Sequence, residues 1–249
     1  MSQFPHDNIK PFEQEGEDKK QQVSRMFDEI APRYDFVNRF LSAGIDVRWR
    51  IKAIKQFTEE KPQYILDIAT GTADMAIRAA KMLRPQKITG IDISENMLAV
   101  GREKIQKEGL SNIIELYKGD SEQIQFEDNT FDAAMVAFGV RNFQDLERGL
   151  GEILRVMKPG AKLVVLEFSQ PVIPGVKNLY NLYMSIIAPE VAKMFKQNKK
   201  AYQYLNKSAK AFPDRGRFTS VLNQVGFTNT SFKALSLGIC CIYIGHKPL

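Results

Sequence analysis

The sequence of 249 residues predicts an α/β fold with a doubly wound, mostly parallel sheet. After residue 62, short apolar segments typical of strands alternate with amphipathic segments typical of helices, which indicates parallel strands joined by right-handed crossovers. The strand segments are apolar almost throughout, as expected for a sheet covered on both faces. Five such strands and a final antiparallel pair predict a seven-stranded sheet.

The first third of the chain predicts a tail and a helical cap before the sheet begins. Residues 1–18 contain acids and prolines without an apolar core, which predicts a disordered tail and no signal peptide. Residues 19–60 have apolar side chains at helical spacing, interrupted at Pro32 and near Gly44. We therefore expect three helices in this cap and a single domain over 19–249.

The sheet elements then follow in order. Strands are predicted at 64–69, 87–94, 112–120, 131–139 and 161–169, and helices at about 72–83, after an N-cap at Ser94, and around 146–157. Residues 171–210 interrupt this alternation with a helical, aromatic stretch that predicts a lid insert, although the aromatics also fit an ordinary core. A helix at about 213–225 and strands at 227–236 and 238–247 complete the chain.

Composition narrows the classes of ligand and site that are possible but does not identify the function. A net charge of +6 suits an acidic ligand, nucleic acid or an anionic membrane face. The only cysteines, Cys240 and Cys241, are adjacent, so a disulfide between them is not expected, and two histidines make metal catalysis through imidazoles improbable. No apolar run reaches the ~18 residues of a spanning helix. A cytoplasmic protein is expected.

Four polar signatures follow predicted strands, at the edge where open α/β sheets bind ligands. They are 67–74 after the first strand, Asp92 after the second, Asp120 and Ser121 after the third, and Arg141 and Asn142 after the fourth. Gly71 allows a tight turn, and its separation from Asp92 is typical of a glycine loop followed by a ribose-binding acid.

The first of these loops, "DIATGTAD", favours a ligand without phosphate. It lacks the G-x-G-x-x-G pattern of dinucleotide loops, and Asp74 would repel a phosphate at the start of the following helix. Asp74 and Asp67 together give the loop two acidic side chains. Such a loop suits an amine and a sulfonium, as in S-adenosylmethionine, and weighs against the rival prediction of a nicotinamide dehydrogenase.

Longer segments resemble the ubiquinone/menaquinone biosynthesis C-methyltransferase family over about residues 23–248. The segments specific to that family are "MFDEIAPRYDFVNRFLSAGIDVRWR" and "FGVRN", and those matching its cofactor half are "ILDIATGTAD", "GIDISENML", "LYKGDSEQIQFEDNTFD" and "LRVMKPGAKLVVLEFSQP". The detail "GIDVRWRIKAI" favours the demethylmenaquinone members. One departure is Ala73, where the family more often has glycine.

The resemblance implies a Rossmann-like class I S-adenosylmethionine-dependent methyltransferase that methylates a ring carbon of a polyprenylated quinol. Demethylmenaquinol is the expected substrate; the benzoquinol precursor of ubiquinone and a small molecule of another class are the alternatives. The residues it implies at the cofactor are Asp67, Gly71, Thr72, Asp92, Ile93, Met97, Asp120, Ser121 and Ala137. Ala137 stands where some members have serine, so a hydroxyl contact there should be missing.

The catalytic residues implied are Arg141, Asn142 and Tyr34. A quinol carbon becomes nucleophilic when its ring hydroxyl, with a pKa near 10, loses a proton. A guanidinium stabilises the resulting oxyanion, and an amide can orient the hydroxyl or a water. Because arginine is a poor base, the proton passes to water or to a carboxylate such as Asp46. The alternatives are a salt bridge for Arg141, helix packing for Tyr34, a loop acid for Asp120 and a helix cap for Asp46.

An apolar substrate tail implies transient contact with a membrane surface, so a peripheral position at the inner face of the membrane is a second expectation. The segment 178–200 combines apolar residues at helical spacing with the lysines Lys193, Lys196, Lys199 and Lys200. No nucleic-acid partner is expected, and a homodimer is left open. A non-catalytic binding module remains a rival prediction.

Overall fold

The computed structural model describes residues 4–12, 16–183 and 199–249. A seven-stranded sheet forms its centre, in the order β3-β2-β1-β4-β5-β7-β6. The strands are β1 (Tyr64–Ile68), β2 (Lys87–Asp92), β3 (Ile114–Lys118), β4 (Phe131–Ala137), β5 (Met157–Phe168), β6 (Thr228–Leu235) and β7 (Cys240–His246). Only β7 runs antiparallel to its neighbours, which confirms the predicted mostly parallel sheet and its final antiparallel pair.

Helices cover the sheet and precede it as the cap. They are α1 (Lys19–Ile30), α2 (Tyr34–Leu41), α3 (Ile45–Ile54), α4 (Asp74–Leu83), α5 (Glu95–Lys107), α6 (Leu146–Val156), α7 (Pro174–Leu182), α8 (Lys199–Ala211) and α9 (Gly216–Val225). The predicted cap at Ser94 is confirmed, since its hydroxyl accepts from the N–H of Met97 at 3.2 Å. In the part of the chain described, no helix has the length and apolar character needed to cross a bilayer.

The predicted lid insert is described only in part. Helices α7 and α8 lie within it, whereas Lys193 and Lys196, two of the lysines on which the membrane prediction depended, lie outside the described residues. The hydroxyl of Tyr183, just after α7, donates to the Leu41 carbonyl at 2.7 Å, so the end of α7 contacts the end of α2. The insert and the cap therefore meet.

The hydrophobic core occupies both faces of the sheet. Consecutive strand residues point to opposite faces, so Ile65 packs in one buried cluster and Leu66 in the other. Cys240 and Cys241 divide between the two clusters in the same way, and both are free thiols. The absence of a disulfide between them follows from this geometry.

Residues 4–12 differ from the disordered tail that the sequence predicts. Pro5–Asn8 forms a 3₁₀ turn, His6 is fully buried, and its ring meets that of Phe212, just after α8, edge-on with centroids 5.5 Å apart. The buried Lys19 ammonium donates to the carbonyls of His6 at 2.9 Å and Phe143 at 2.8 Å. A few aromatic contacts and one lysine hold the segment, and neither leaves a periodic signal in the sequence.

Candidate active site

A pocket that opens to solvent lies at the carboxyl ends of the central strands. Among the described residues, those predicted from the sequence that line it are Tyr34, Gly71, Asp92, Ile93, Met97, Asp120, Ser121, Ala137 and Asn142. The cap therefore joins the sheet in forming a single cavity.

Gly71 and Asp92 are joined directly, as their spacing in the sequence predicts. The Gly71 N–H donates to Asp92 Oδ2 at 2.8 Å, and the Ser94 N–H donates to Oδ1 at 2.9 Å. Gly71 has φ +56°, and a Cβ built on it would meet no protein atom within 4 Å. The loop thus presents open space beside a carboxylate. Burial, with Asp28 adding to its effect, raises the pKa of Asp92 to about 6.

Strained backbone surrounds this loop. Ala69, Ala73 and Phe138 have φ of +52°, +61° and +61°, values that side-chain-bearing residues adopt at a cost. A Cβ on Gly139 would lie 2.5 Å from the Cβ of Ala69, so the loops after β1 and β4 are in close contact. Ala73 caps α4 in the left-handed region, which is the physical reason that glycine suits this position better.

Asp67 lies at the end of β1 and is 1% exposed. Its Oδ2 accepts from the Thr70 hydroxyl at 2.6 Å, whereas Oδ1 is buried and accepts no hydrogen bond of standard geometry from the described residues. Burial raises the pKa of Asp67 to about 7, although Thr70 and Arg50 favour the ionised form. Asp67 is not among the described residues that line the pocket, contrary to its predicted place at the cofactor.

Asp120 meets a cation that the sequence analysis did not identify. The ammonium of Lys20, on α1, lies 2.5 Å from Asp120 Oδ2 and 3.1 Å from Glu122 Oε2, and all three residues line the pocket. Asp120 Oδ1 accepts from the Glu122 N–H at 2.9 Å. The sequence did not indicate that Lys20 lines the pocket, because adjacent lysines at the start of a helix, such as Lys19 and Lys20, are common on protein surfaces.

Thr72 takes part in a polar network outside the pocket. Its hydroxyl donates to Asp35 at 2.6 Å and accepts from Lys104 at 3.2 Å, while Lys104 also lies 2.5 Å from Asp74. Burial opposes the ionisation of Asp74, but Lys104 and the arginines nearby hold the pKa of Asp74 below its usual range. The network ties the cap helix α2 to α4 and α5.

Arg141 forms a buried ion pair with Glu167, at the end of β5. The guanidinium Nη1 lies 2.6 Å from Glu167 Oε1 and donates to the Phe138 carbonyl at 2.7 Å, while Nε is buried without a partner among the described residues. The two side chains are 3% and 0% exposed. Burial raises the pKa of Glu167, and Arg141 favours its ionised form. Sequence analysis missed Glu167, although an acid ending an apolar strand is the same signal that identified Arg141.

Tyr34 and Asn142 both line the pocket. Burial raises the pKa of Tyr34, while the charges of Arg141 and Arg50 act in the opposite direction. Asp46, the proposed proton acceptor, instead accepts from Ser42 at 2.8 Å and Arg50 at 2.7 Å and is not among the described pocket residues. No group of three or more His, Cys, Asp or Glu side chains among the described residues is placed to hold a metal.

The buried carboxyl of Asp67 predicts a pH-dependent stability. Its pKa is about 7 in the folded protein and about 3.9 when unfolded, so its stabilising contribution is full below pH ~4 and is lost as the pH rises through 7. Relative to Asp67→Asn, the wild type should lose about 4 kcal/mol of unfolding free energy between about pH 4 and pH 8, measured by urea unfolding.

Asp132→Asn is the matched control with the opposite sign. Burial opposes the ionisation of Asp132, but Lys158 and two backbone N–H groups outweigh it and hold its pKa below the usual range. Its contribution is therefore present above the unfolded pKa and is lost as the pH falls. A wild-type curve parallel to that of Asp67→Asn across this range would contradict the assignment for Asp67.

Comparison with known proteins identifies the family of this chain. It matches the ubiE/COQ5 methyltransferase family over residues 15–247. It is 45% identical to a demethylmenaquinone methyltransferase of Bacteroides fragilis, covering 98% of this chain and 99% of that one. It is also 41% identical to the ubiquinone/menaquinone biosynthesis C-methyltransferase UbiE of Geobacter sulfurreducens, covering 93% and 91%.

Solved structures agree on the fold. A SAM-dependent methyltransferase from Thermotoga maritima superposes with a TM-score of 0.63 at 18% identity, covering 90% of this chain and 99% of that one. The [4+2]-cyclase SpnF superposes with a TM-score of 0.61 at 18% identity, covering 92% and 97%, so this fold does not by itself specify a reaction. The sequence match and the pocket at the sheet edge together lead to one conclusion: the chain belongs to the ubiE/COQ5 methyltransferase family.

Proposed function

We propose that this protein is an S-adenosylmethionine-dependent C-methyltransferase that converts demethylmenaquinol to menaquinol. The observation that carries the proposal is the Gly71–Asp92 loop, which opens into the same cavity as Tyr34 and Asn142. The names of the relatives support the substrate class, and both the naphthoquinol and the benzoquinol occur among them. Methylation of the benzoquinol precursor is therefore the second candidate.

The pocket has the donors and the space that the cofactor requires. Asp92 can accept the ribose hydroxyls, since each of its oxygens keeps a lone pair beyond its backbone bond. The open space at Gly71 admits a ligand against the backbone. Among the described lining residues, three carboxylates (Asp92, Asp120 and Glu122) outnumber the one ammonium (Lys20), which suits an amine and a sulfonium and opposes a phosphate. When bound, the cofactor supplies an electrophilic methyl group.

The other end of the pocket can prepare the quinol ring. The ring hydroxyl must lose its proton, after which the ring carbon attacks the methyl group and the ring later loses the proton of that carbon. Arg141 is not among the described residues that line the pocket, so its buried guanidinium, which Glu167 holds in place, is proposed to favour the developing oxyanion through its positive charge. Asn142 offers an amide to orient the hydroxyl, and Tyr34 offers a protonated phenol. Water is the proposed proton acceptor, because Asp46 is engaged by Arg50.

Gly71→Val should abolish cofactor binding in a folded protein. The valine side chain would fill the open space beside Asp92, and its φ of +56° would add strain of roughly 1–2 kcal/mol. Titration calorimetry measures the affinity and urea unfolding the strain. Gly109→Val is the control, because Gly109 has φ +68° and equally open space in a turn after α5. Equal cofactor affinity in both variants would exclude this loop as the cradle.

The reaction itself is tested with methyl-labelled cofactor and the two reduced quinols, demethylmenaquinol and the benzoquinol precursor, side by side. Label should enter the naphthoquinol ring. Arg141→Ala should lower kcat by roughly 10²–10³-fold, the scale for removing one group that stabilises an oxyanion, with little change in cofactor affinity.

Arg141→Ala leaves Glu167 buried without its ion-pair partner. The double variant Arg141→Ala/Glu167→Gln removes that unpaired charge, and its kcat should be as low as that of the single variant. Label in the benzoquinol alone would favour the second candidate. Cofactor binding without label in either quinol would refute the proposed reaction.

We also propose that the protein meets a membrane surface transiently, because a polyprenyl tail is insoluble in water. Large exposed apolar side chains occur on the cap and the insert. They are Phe36 at 57%, Phe40 at 53%, Val172 at 68%, Ile173 at 48% and Leu182 at 51% exposure. The Tyr183–Leu41 hydrogen bond brings the end of α7, with Leu182, to the end of α2, with Phe40. The net charge of +6 suits anionic headgroups.

Vesicle sedimentation tests this contact. Wild type should bind anionic vesicles weakly and lose binding as salt rises, and Val172→Asp/Ile173→Asp should reduce binding several-fold. The control Met82→Asp/Phe232→Asp removes exposed apolar side chains from α4 and from the edge strand β6. If both double variants sediment like the wild type, these residues do not form the contact.

A further inference from the structure

Asn142 is held by a side chain from the insert. It lies in the 3₁₀ turn Val140–Asn142 that follows β4, and its backbone N–H donates to the Gly139 carbonyl at 2.9 Å. Its side-chain Nδ2 donates to the Phe138 carbonyl at 3.4 Å, and its Oδ1 accepts from the Tyr204 hydroxyl at 3.2 Å. One hydrogen bond comes from its own turn, and the other comes from α8, 62 residues away.

We propose that Tyr204 is a positioning residue for the reaction, which holds the Asn142 amide in the orientation that addresses the quinol hydroxyl. The inference rests on the proposed function and deepens it, since it names what sets the geometry of a pocket residue. Tyr204 is not among the described residues that line the pocket. It therefore acts through Asn142.

Tyr204 is itself firmly held. It is 2% exposed and packs in a buried cluster with residues of α1, α2 and α5, among them Met26, Val37 and Met97. Ala201 and Ser208, on the same helix, are fully buried. Burial raises the pKa of Tyr204 despite the opposing charge of Arg141, so the hydroxyl keeps its proton and can donate it to Asn142.

The two bonds settle which atom of the amide faces which partner. A carbonyl accepts only from a donor, so the bond to Phe138 identifies the nitrogen, and the oxygen then faces Tyr204. An amide nitrogen carries two hydrogens, and only one of them is used by Phe138. The second is available to an oxygen atom in the cavity that Asn142 lines. Without Tyr204, the bond to Phe138 alone, at 3.4 Å, would hold the amide less firmly.

Tyr204→Phe removes the hydroxyl and leaves the packing. The expected result is a five- to tenfold lower kcat with demethylmenaquinol, which is the loss of about one neutral hydrogen bond. Cofactor affinity by calorimetry and the urea midpoint should stay near wild type. Tyr183→Phe is the matched control, because it removes another insert hydroxyl that bonds to Leu41 and not to Asn142. It should change kcat less than twofold.

A double-mutant cycle separates positioning from general support of the insert. In an Asn142→Ala background, Tyr204→Phe should have no further effect on kcat, because the group through which it acts is gone. A full five- to tenfold loss in that background, or equal losses in Tyr204→Phe and Tyr183→Phe, would overturn the inference. Wild type without activity on either quinol would refute the proposed function instead, so the two failures are distinguishable.

Discussion

The central position of β1 is the constraint on which the site depends. This strand pairs in parallel with β2 on one side and β4 on the other, and Ile68 is in register with both Ile91 and Val136. All three strands therefore end at the same edge and at the same level. The glycine loop, the carboxylate after β2 and the turn after β4 come together because of this register. The close approach of Ala69 to Gly139 shows how little space separates the loops after β1 and β4.

Several carboxylates lie close together at the site, and neighbouring groups affect their ionisation. Asp67 and Asp92 are buried, and burial raises the pKa of both, yet backbone N–H groups at Gly71 and Ser94 favour the ionised form of Asp92. Asp120 is matched by Lys20 from the cap. We propose that such a cavity disfavours phosphate and suits a cationic ligand, and the raised pKa values predict a stability that depends on pH.

The far side of the pocket is built from segments outside the sheet. Lys20 and Tyr34 come from α1 and α2, and Tyr204 reaches Asn142 from α8. The buried Lys19 joins these parts, because its ammonium binds carbonyls of the N-terminal segment and of the turn that contains Arg141. A cap, an insert and an N-terminal segment thus stabilise one short turn. Any change in their packing is expected to reach the residues that we propose to orient the substrate.

The sequence by itself determined the seven strands, the cap helices, the N-cap at Ser94 and the Gly71–Asp92 pair, because periodicity, capping and strand-end acids are local signals. The family resemblance also pointed to Tyr34, Arg141 and Asn142; the structure has Tyr34 and Asn142 in the pocket lining, whereas Arg141 is not among the described lining residues. Only the tertiary structure decided that Thr72 faces Lys104, that Arg141 is paired with Glu167 and that residues 4–12 are packed. These contacts join residues far apart in sequence, and which donor meets which acceptor depends on how helices pack over the sheet, which no local pattern encodes.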